Sequence, residues 1–261
     1  MMRFSLDGMP IAYYISGRTH PQWVLFLHAA FADHTMFRRQ VDYFQDKYNI
    51  LTLDIVGHGN STSTKPGDGV HKMSAWIREI LNKEQIEKVH LVGISLGAVL
   101  AQDFASRYPK AVASLTCFGG YDLSHLDRRL QQGNGAAHLG MMLKALISIK
   151  WFARSNKRIS AFTPQAQEEF YQMNLRFPKK SFRLLASLNK MGNAREPVPR
   201  DYPLLIGCGQ YDIPAEHAAI ELWKKNEPDC AVAILQGAGH CVNMDMPELF
   251  NKTLEQFWTS G

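Results

Sequence analysis

The chain has 261 residues, of which 46% are hydrophobic and 20% are charged, a balance typical of globular domains. No apolar run is long enough to cross a membrane, and residues 1–7 lack the apolar stretch of a secretory leader, so we expect a cytoplasmic protein. The net charge is +5, but no nucleic-acid-binding motif accompanies it, and nucleic-acid binding is therefore not expected.

The chain has four cysteines, Cys117, Cys208, Cys230 and Cys241, and none of them forms a C-x-x-C pair. This spacing favours neither a disulfide framework nor a zinc site. We expect Cys241 to pack as a small apolar residue. No metal or cofactor is expected.

The first half of the sequence alternates between strand-like and helix-like segments. The predicted elements are a hairpin of strands 3–6 and 11–16 around Asp7-Gly8, strand 23–27, helix 33–44, strand 48–53, helix 73–81, strand 89–92, helix 98–108 and strand 112–118. Strand 23–27 is almost continuously apolar, which is typical of a strand buried on both faces. The alternation predicts an α/β protein with a mostly parallel, doubly wound sheet.

The alternation breaks after the sixth strand. Residues 121–200 contain no convincing strand; residues 139–152 are apolar around most of a helix, and Thr163-Pro164 begins a further helix as its N-cap and first residue. A further helix is predicted after Pro178. The alternation resumes with strand 203–208, helix 215–225, strand 230–235 and helix 247–258. We therefore expect a core domain of residues 1–120 and 201–261 with a helical cap, residues 121–200, inserted into it.

The predicted cap carries most of the positive charge. Residues 121–200 contain 14 lysines and arginines against 5 acidic residues, a balance of +9. Such a segment either attracts an anionic substrate or surface or is simply a solvated helical face.

The stretch Gly93-Ile94-Ser95-Leu96-Gly97 lies between a β-branched strand and a helix. G-x-S-x-G at a strand-to-helix corner is typical of a nucleophile elbow, in which a sharp turn exposes the serine hydroxyl. The free N–H groups at the start of the helix lie at the same point. Ser95 is therefore the candidate nucleophile, although five residues of so loose a pattern also occur by chance.

A serine nucleophile needs a base and a carboxylate that orients the base. Asp212 follows the strand 203–208, and His240 follows the strand 230–235 in a glycine-rich loop. Taken singly, Asp212 is equally typical of a helix cap and His240 of a loop histidine. Their joint position after successive strands, in the chain order Ser95, Asp212, His240, favours a catalytic triad.

Four motifs now make the sequence resemble the α/β-hydrolase superfamily over almost its whole length. They are Leu27-His28-Ala29-Ala30, Asp54-Ile55-Val56-Gly57-His58-Gly59-Asn60-Ser61, Gly207-Cys208-Gly209-Gln210-Tyr211-Asp212-Ile213-Pro214, and Gly237-Ala238-Gly239-His240 followed by Met246-Pro247-Glu248. The sequence departs from the family pattern at Ala29, where glycine is usual, and at Ile94, where histidine is common.

The resemblance implies a serine hydrolase that cleaves an ester-type bond of a small, partly apolar molecule. The backbone N–H groups of Ala30 and Leu96 are the implied oxyanion hole, with Phe31 beside them as a wall of the substrate pocket. His28, Asp54 and His58 are interpreted as loop scaffolding. Carbon–carbon bond hydrolysis, lactone opening and acyl transfer by the same triad remain alternatives, as does a ligand receptor or regulator that turns over slowly. The sequence leaves the substrate and the oligomeric state open.

Overall fold

The computed structural model of the protein describes residues 1–125, 144–145, 147–191 and 200–259. Within these residues eight strands form one sheet in the order β1-β2-β4-β3-β5-β6-β7-β8. Pairings of β2 with β1 and β4 are antiparallel, and all other pairings are parallel. The strands are β1 (Met2–Ser5), β2 (Ala12–Ser16), β3 (Trp23–Leu27), β4 (Asn49–Leu53), β5 (Val89–Ile94), β6 (Val112–Phe118), β7 (Leu204–Gly209) and β8 (Ala231–Leu235).

Most helices of the described residues lie close to the predicted positions, but the helix Ile149–Ser160 extends eight residues beyond the end predicted at 152, and the short helix Val242–Asp245 was not predicted. The helices are α1 (Arg38–Phe44), α2 (Met73–Lys83), α3 (Leu96–Arg107), α4 (Ile149–Ser160), α5 (Pro164–Arg176), α6 (Phe182–Ala186), α7 (Pro214–Asn226), α8 (Val242–Asp245) and α9 (Pro247–Thr259). Two starts differ from the prediction. The helix expected from residue 33 opens with a 3-10 turn, His34–Phe37, and α3 begins at Leu96, directly after Ser95.

The strands β2 to β7 are buried on both faces of the sheet, whereas the edge strands β1 and β8 are largely exposed, and this burial confirms the doubly wound fold. Along β3, Leu25 and Leu27 pack into one apolar layer, and Val24 and Phe26 pack into the other. The first layer includes side chains of α2, α3 and α7, and the second includes side chains of α1 and α9. A continuous apolar strand satisfies this geometry because each of its alternating sides meets a helix layer.

The segment between β6 and β7 contributes α4, α5 and α6 and no strand within its described residues. Thr163 caps α5 by accepting a hydrogen bond from the N–H of Ala166, and Pro164 is the first helical residue, as predicted. The helix expected after Pro178 is instead the short α6 between two 3-10 turns. Residues 139–143 and 146 of the predicted apolar helix 139–152 lie outside the described residues. The division into core and cap domains stays a prediction.

A buried carboxylate holds the carboxyl end of β4 in place. Asp54 accepts hydrogen bonds from the backbone N–H and the Nδ1 of His34, from the hydroxyl of Tyr14 and from the N–H of Asn60, at 2.8 to 3.0 Å. The ring of Tyr14 stacks on His34 with 3.6 Å between centroids. Asp54 therefore fixes the loop after β4 to the turn that precedes α1.

The free energy of unfolding is expected to depend on Asp54 and on pH. Burial alone would raise the pKa of this carboxyl, but the hydrogen bonds and charge of His34, together with other donors, lower it to about 2. A carboxyl with a lowered pKa stabilises the fold above its unfolded pKa and loses that contribution as the pH falls toward 2. Asp54→Asn should destabilise the protein at pH 7 by about 2–4 kcal/mol.

Urea unfolding at two pH values tests this expectation. The difference between wild type and Asp54→Asn should be smaller at pH 3 than at pH 7 by about 1 kcal/mol. The control is Asp229→Asn, which changes an exposed carboxylate. An equal difference at both pH values would contradict the assignment.

Candidate active site

Ser95 has a strained backbone at the carboxyl end of β5. Its φ is 55° and its ψ is −116°, a conformation that costs a non-glycine residue about 1–3 kcal/mol. The Ser95 N–H donates to the carbonyl of Phe118 at 2.8 Å, which holds the turn against the end of β6. This is the sharp strand-to-helix corner that the sequence predicted.

Two glycines allow α3 to begin here. A Cβ on Gly97 would lie 2.0 Å from the carbonyl oxygen of Leu27, and a Cβ on Gly93 would lie 2.3 Å from the carbonyl oxygen of Gly97. Each distance is far below van der Waals contact, so only glycine fits at either position. The first turn of α3, which begins with Leu96, thus lies directly against the end of β3.

The loop after β3 is a tight turn. The N–H of Ala32 donates to the carbonyl of Ala29 at 3.3 Å, and Phe31 has a φ of 66°. The left-handed residue is Phe31 and not Ala29, which is why alanine is accepted where the family usually has glycine. Ala30 and Leu96, the predicted oxyanion donors, thus lie on the two segments that Gly97 brings together.

Two hydrogen bonds of the His28 ring hold this loop in place. Its Nε2 accepts a hydrogen bond from the N–H of Ile55 at 2.9 Å, and its Nδ1 lies 2.7 Å from the carbonyl oxygen of Ala29. The first contact requires an unprotonated Nε2, so the proton is on Nδ1 and donates to Ala29. Complete burial lowers the pKa of His28 and keeps the ring neutral. This arrangement supports the interpretation of His28 as scaffolding.

His58 packs against His28 from the neighbouring loop. The two rings meet edge to face at 5.1 Å, and the Nδ1 of His58 lies 3.2 Å from the carbonyl oxygen of Ile55. Burial lowers the pKa of His58 to about 3, so this ring is neutral too. Its Nε2 is buried and has no hydrogen-bond partner among the described residues.

Asp212 and His240 are joined directly, as the sequence predicted. The Nδ1 of His240 lies 3.0 and 3.1 Å from the two carboxylate oxygens of Asp212, whose side chain is fully buried. Burial favours the neutral imidazole, but the hydrogen bond and charge of Asp212 outweigh it and raise the pKa of His240. In the neutral ring the Nδ1–H donates to the carboxylate and Nε2 is the proton acceptor, and the raised pKa means that this neutral form increases as the pH rises through that pKa.

Gly119 lies against the imidazole of His240 and directly after the residue that binds the backbone of Ser95. A Cβ on Gly119 would lie 2.7 Å from Cε1 and 2.9 Å from Nδ1 of His240, so the ring rests on the glycine backbone. Phe118, the residue before Gly119, accepts the hydrogen bond of the Ser95 N–H. No hydrogen bond between the Ser95 hydroxyl and His240 is found in the described part of the chain. The role of Gly119 was not predicted, and its only signal in the sequence is the Gly119-Gly120 pair directly after the predicted strand 112–118.

A second carboxyl lies near the pair and was also missed. Glu216 is in the first turn of α7, four residues after Asp212, and its Oε2 is buried without a hydrogen-bond partner in the ranges that the structure describes. Burial raises the pKa of Glu216, with a smaller opposing contribution from His240. The sequence offered no signal for it, because an acidic residue in the first turn of a helix is common.

Phe31 connects the loop after β3 with the helices of the insertion. Its ring lies 4.7 Å from that of Phe152, 5.0 Å from that of Phe177 and 5.8 Å from that of Phe182. The predicted pocket residue therefore belongs to an aromatic cluster contributed by both core and insertion. This cluster provides an apolar surface next to the loop that carries Ala30.

Asp245 fixes the insertion to the loop of His240. Its carboxylate accepts hydrogen bonds from the N–H groups of Phe162 and Thr163, from the Thr163 hydroxyl and from the N–H of Gly239, at 2.7 to 3.0 Å. A further bond of 2.7 Å joins the N–H of Cys241 to the carbonyl of Ser160. The residues on both sides of His240 are therefore held by the turn between α4 and α5.

The described residues form no candidate metal site. No group of three or more His, Cys, Asp or Glu converges there in a way that could hold a metal ion. All four cysteines are buried and free. None of the described helices combines the length and hydropathy required to cross a bilayer.

Comparison with known proteins places the sequence and this geometry in context. A family model described as the alpha/beta hydrolase fold matches residues 22–247. Relatives in Bacillus subtilis (strain 168) include a putative 2-succinyl-6-hydroxy-2,4-cyclohexadiene-1-carboxylate synthase, 26% identical over 97% of this chain and 96% of the relative, and the uncharacterized carboxylesterase nap, 24% identical over 98% and 90%. A thermophilic esterase from Thermogutta terrifontis has a similar structure, with a TM-score of 0.78 and 20% identity over 99% of this chain and 98% of the esterase.

The titration of His240 provides a test of its contact with Asp212. In the wild type we expect a pKa above the ordinary value of about 6.5. Asp212→Asn replaces the charge with a neutral amide while the burial remains, so the pKa of His240 should fall below that value. Ring resonances followed by NMR across pH, with the His240 signal assigned through His240→Gln, measure both values.

Asp229→Asn is the matched control and should leave the titration of His240 unchanged. A wild-type His240 that titrates at or below the ordinary histidine value would show that the carboxylate does not dominate its environment.

The link through Asp245 is open to hydrogen exchange. Asp245→Ala removes the acceptor of backbone N–H groups in both the insertion and the His240 loop, so peptides covering 160–165 and 237–244 should both exchange faster. The intact protein is allowed to exchange and is then digested, and mass spectrometry of the resulting peptides measures both segments. Asp229→Ala should change neither, and faster exchange in only one segment would argue against a link between the two.

Proposed function

The chain belongs to the α/β-hydrolase family, and we propose that it is a serine hydrolase that cleaves an ester bond through Ser95, His240 and Asp212. Membership of the family and the names of its relatives support hydrolase activity at the coarser level. The serine nucleophile, the ester and the acyl-enzyme are our proposal.

The proposal rests on the position of the Asp212–His240 pair and of Ser95 at the same strand end. The Asp212–His240 pair, with its carboxylate buried, rests on the backbone of Gly119, and the same strand end holds Ser95 in a strained turn. A buried carboxylate that binds Nδ1–H leaves Nε2 as a base near the candidate nucleophile. A strained serine is the kind of outlier from which function is properly inferred.

In the proposed reaction, the Ser95 Oγ attacks the ester carbonyl carbon while His240 Nε2 removes its proton. The carbonyl oxygen gains negative charge and is stabilised by the N–H groups of Ala30 and Leu96, each of which contributes about 3 kcal/mol in comparable sites. The C–O bond to the alcohol then breaks, and the imidazolium returns the proton to the leaving oxygen. Asp212 holds the ring and stabilises its positive charge.

The acyl-enzyme is released by water. His240 Nε2 takes a proton from a water molecule, whose oxygen attacks the acyl carbon. The same N–H groups stabilise the second oxyanion. Collapse breaks the bond to the Ser95 Oγ, which regains its proton from His240, and a carboxylic acid leaves.

The substrate is proposed to be a small molecule that is at least partly apolar. Phe31 and the aromatic rings around it contribute an apolar surface next to the proposed oxyanion hole. We propose that residues 121–200 form a cap over the site and that residues 1–120 and 201–261 form the catalytic core. The free, buried cysteines support a reducing compartment, and we keep the cytoplasm as the proposed location.

Hydrolysis of p-nitrophenyl esters of increasing acyl length tests the proposal. The wild type should hydrolyse them with a preference for one range of length, because the pocket is bounded by side chains. Ser95→Ala should lower kcat/KM by about 10³-fold or more. Ser5→Ala, which changes an exposed serine of β1, is the matched control and should leave kcat/KM unchanged.

Labelling with a fluorophosphonate, followed by mass spectrometry, identifies the nucleophile independently of any ester. The label should be found on Ser95 and should be lost in Ser95→Ala and reduced in His240→Gln. Label on another residue, or ester hydrolysis that survives Ser95→Ala, would overturn the proposal. Labelling of Ser95 without ester turnover would favour the carbon–carbon, lactone or acyl-transfer alternatives, and very few turnovers per site would favour a receptor.

A further inference from the structure

Helix α4 has two chemically different faces. Phe152, Ala153, Asn156 and Ser160 are buried, and Asn156 donates to the side chain of Asn174 on α5 at 2.6 Å. At a helical spacing of 100° per residue, the opposite face of α4 carries Lys150, Trp151, Arg154 and Arg158. All four of these residues are exposed, as is Ile147 just before the helix.

Large apolar side chains are exposed on α4 and just before it. Trp151 is 48% exposed, Ile147 is 72% exposed, and Ile159 at the end of the helix is 50% exposed. Four of the twelve large hydrophobic residues that are exposed in the described chain lie on α4 or within two residues of its ends, and a fifth, Tyr211, stacks on one of them, Phe162. A concentration of this kind marks an interaction surface more often than a merely solvated helix.

The charges of the same face are all positive. Helix α4 contains Lys150, Arg154, Lys157 and Arg158 and no acidic residue. Lys157 lies to one side, where it pairs with Glu168 of α5 at 3.1 Å. Lys144 lies over the ring of Trp151, with its Nζ 5.6 Å from the centroid. Within the described residues, no acidic side chain forms an ion pair with Lys150, Arg154 or Arg158.

We propose that this face of α4 docks on the surface of an anionic lipid bilayer. An exposed tryptophan suits the boundary between headgroups and acyl chains, and flanking lysines and arginines suit anionic headgroups. The helix lies in the plane of the surface, with Trp151 inserted and Lys150, Arg154 and Arg158 at headgroup level. An acidic protein partner would instead leave the protein unbound to anionic vesicles.

The proposed surface lies next to the seam between the insertion and the core. Phe162, which follows α4, stacks on Tyr211 at 4.0 Å between ring centroids, and Tyr211 directly precedes Asp212. Both rings are about half exposed. Docking through α4 therefore brings the membrane surface close to the loop of the candidate acid. Binding itself does not require the proposed hydrolase activity.

Cosedimentation of the full-length protein with vesicles tests the proposal. We expect binding to vesicles of phosphatidylcholine with phosphatidylglycerol and at least tenfold weaker binding to phosphatidylcholine alone. The triple variant Lys150→Glu/Arg154→Glu/Arg158→Glu should weaken binding to the anionic vesicles by about a hundredfold or more. Raising the salt concentration should weaken wild-type binding as well.

The charge-matched control is Lys83→Glu/Lys88→Glu/Lys110→Glu, which reverses three exposed lysines elsewhere on the core. This control should change binding by less than about twofold, because charges beyond a Debye length from the bilayer are screened. Equal losses in both triple variants would mean that only the overall charge matters and would overturn the proposal. Circular dichroism and thermal unfolding establish that each variant is folded.

Tryptophan fluorescence tests the orientation separately. Vesicle addition should shift the emission of the wild type to shorter wavelength, and brominated lipid should quench it. Trp151→Phe should lose both effects, while Trp23→Phe, which changes a tryptophan of β3, should keep them. Binding without any Trp151-dependent change, binding that ignores lipid charge, or no binding to either kind of vesicle would each overturn the proposal.

Discussion

The contact between two backbones, at the end of β3 and the start of α3, underlies the whole site. Gly97 lies so close to the carbonyl oxygen of Leu27 that no side chain fits between them. This approach fixes the direction in which α3 leaves the sheet and hence the strained turn at Ser95. The cost of that strain is offset by the apolar layers that α3 and the sheet bury together.

Buried polar groups then fix the loops that the sheet alone leaves free. His28 links the loop after β3 to the N–H of Ile55, and Asp54 links the next loop to His34. A buried donor or acceptor costs free energy unless it is paired, so these hydrogen bonds specify one arrangement of each loop. Asp245 applies the same principle to the insertion, because its bonds to Thr163 and Gly239 hold the turn after α4 against the loop of His240.

The cluster around Phe31 and the outer face of α4 differ in their chemistry. The cluster around Phe31 is aromatic, whereas the outer side of α4 combines Trp151 with cations that form no ion pair with any residue the structure describes. The positive charges that α4 contributes to the insertion therefore lie on its outer face. These charges would therefore attract an anionic surface that meets α4 more readily than a molecule bound next to Phe31.

The sequence by itself predicted most of the elements and the candidate site residues at the ends of the strands. Continuous apolar strands such as 23–27 must be covered on both faces, and Asp212 and His240 follow parallel strands whose carboxyl ends share one edge, so both were predictable. Tertiary structure alone decided which backbones touch. The resting place of His240 on Gly119 and the link through Asp245 depend on distances between segments far apart in the chain, and local patterns carry no information about such distances.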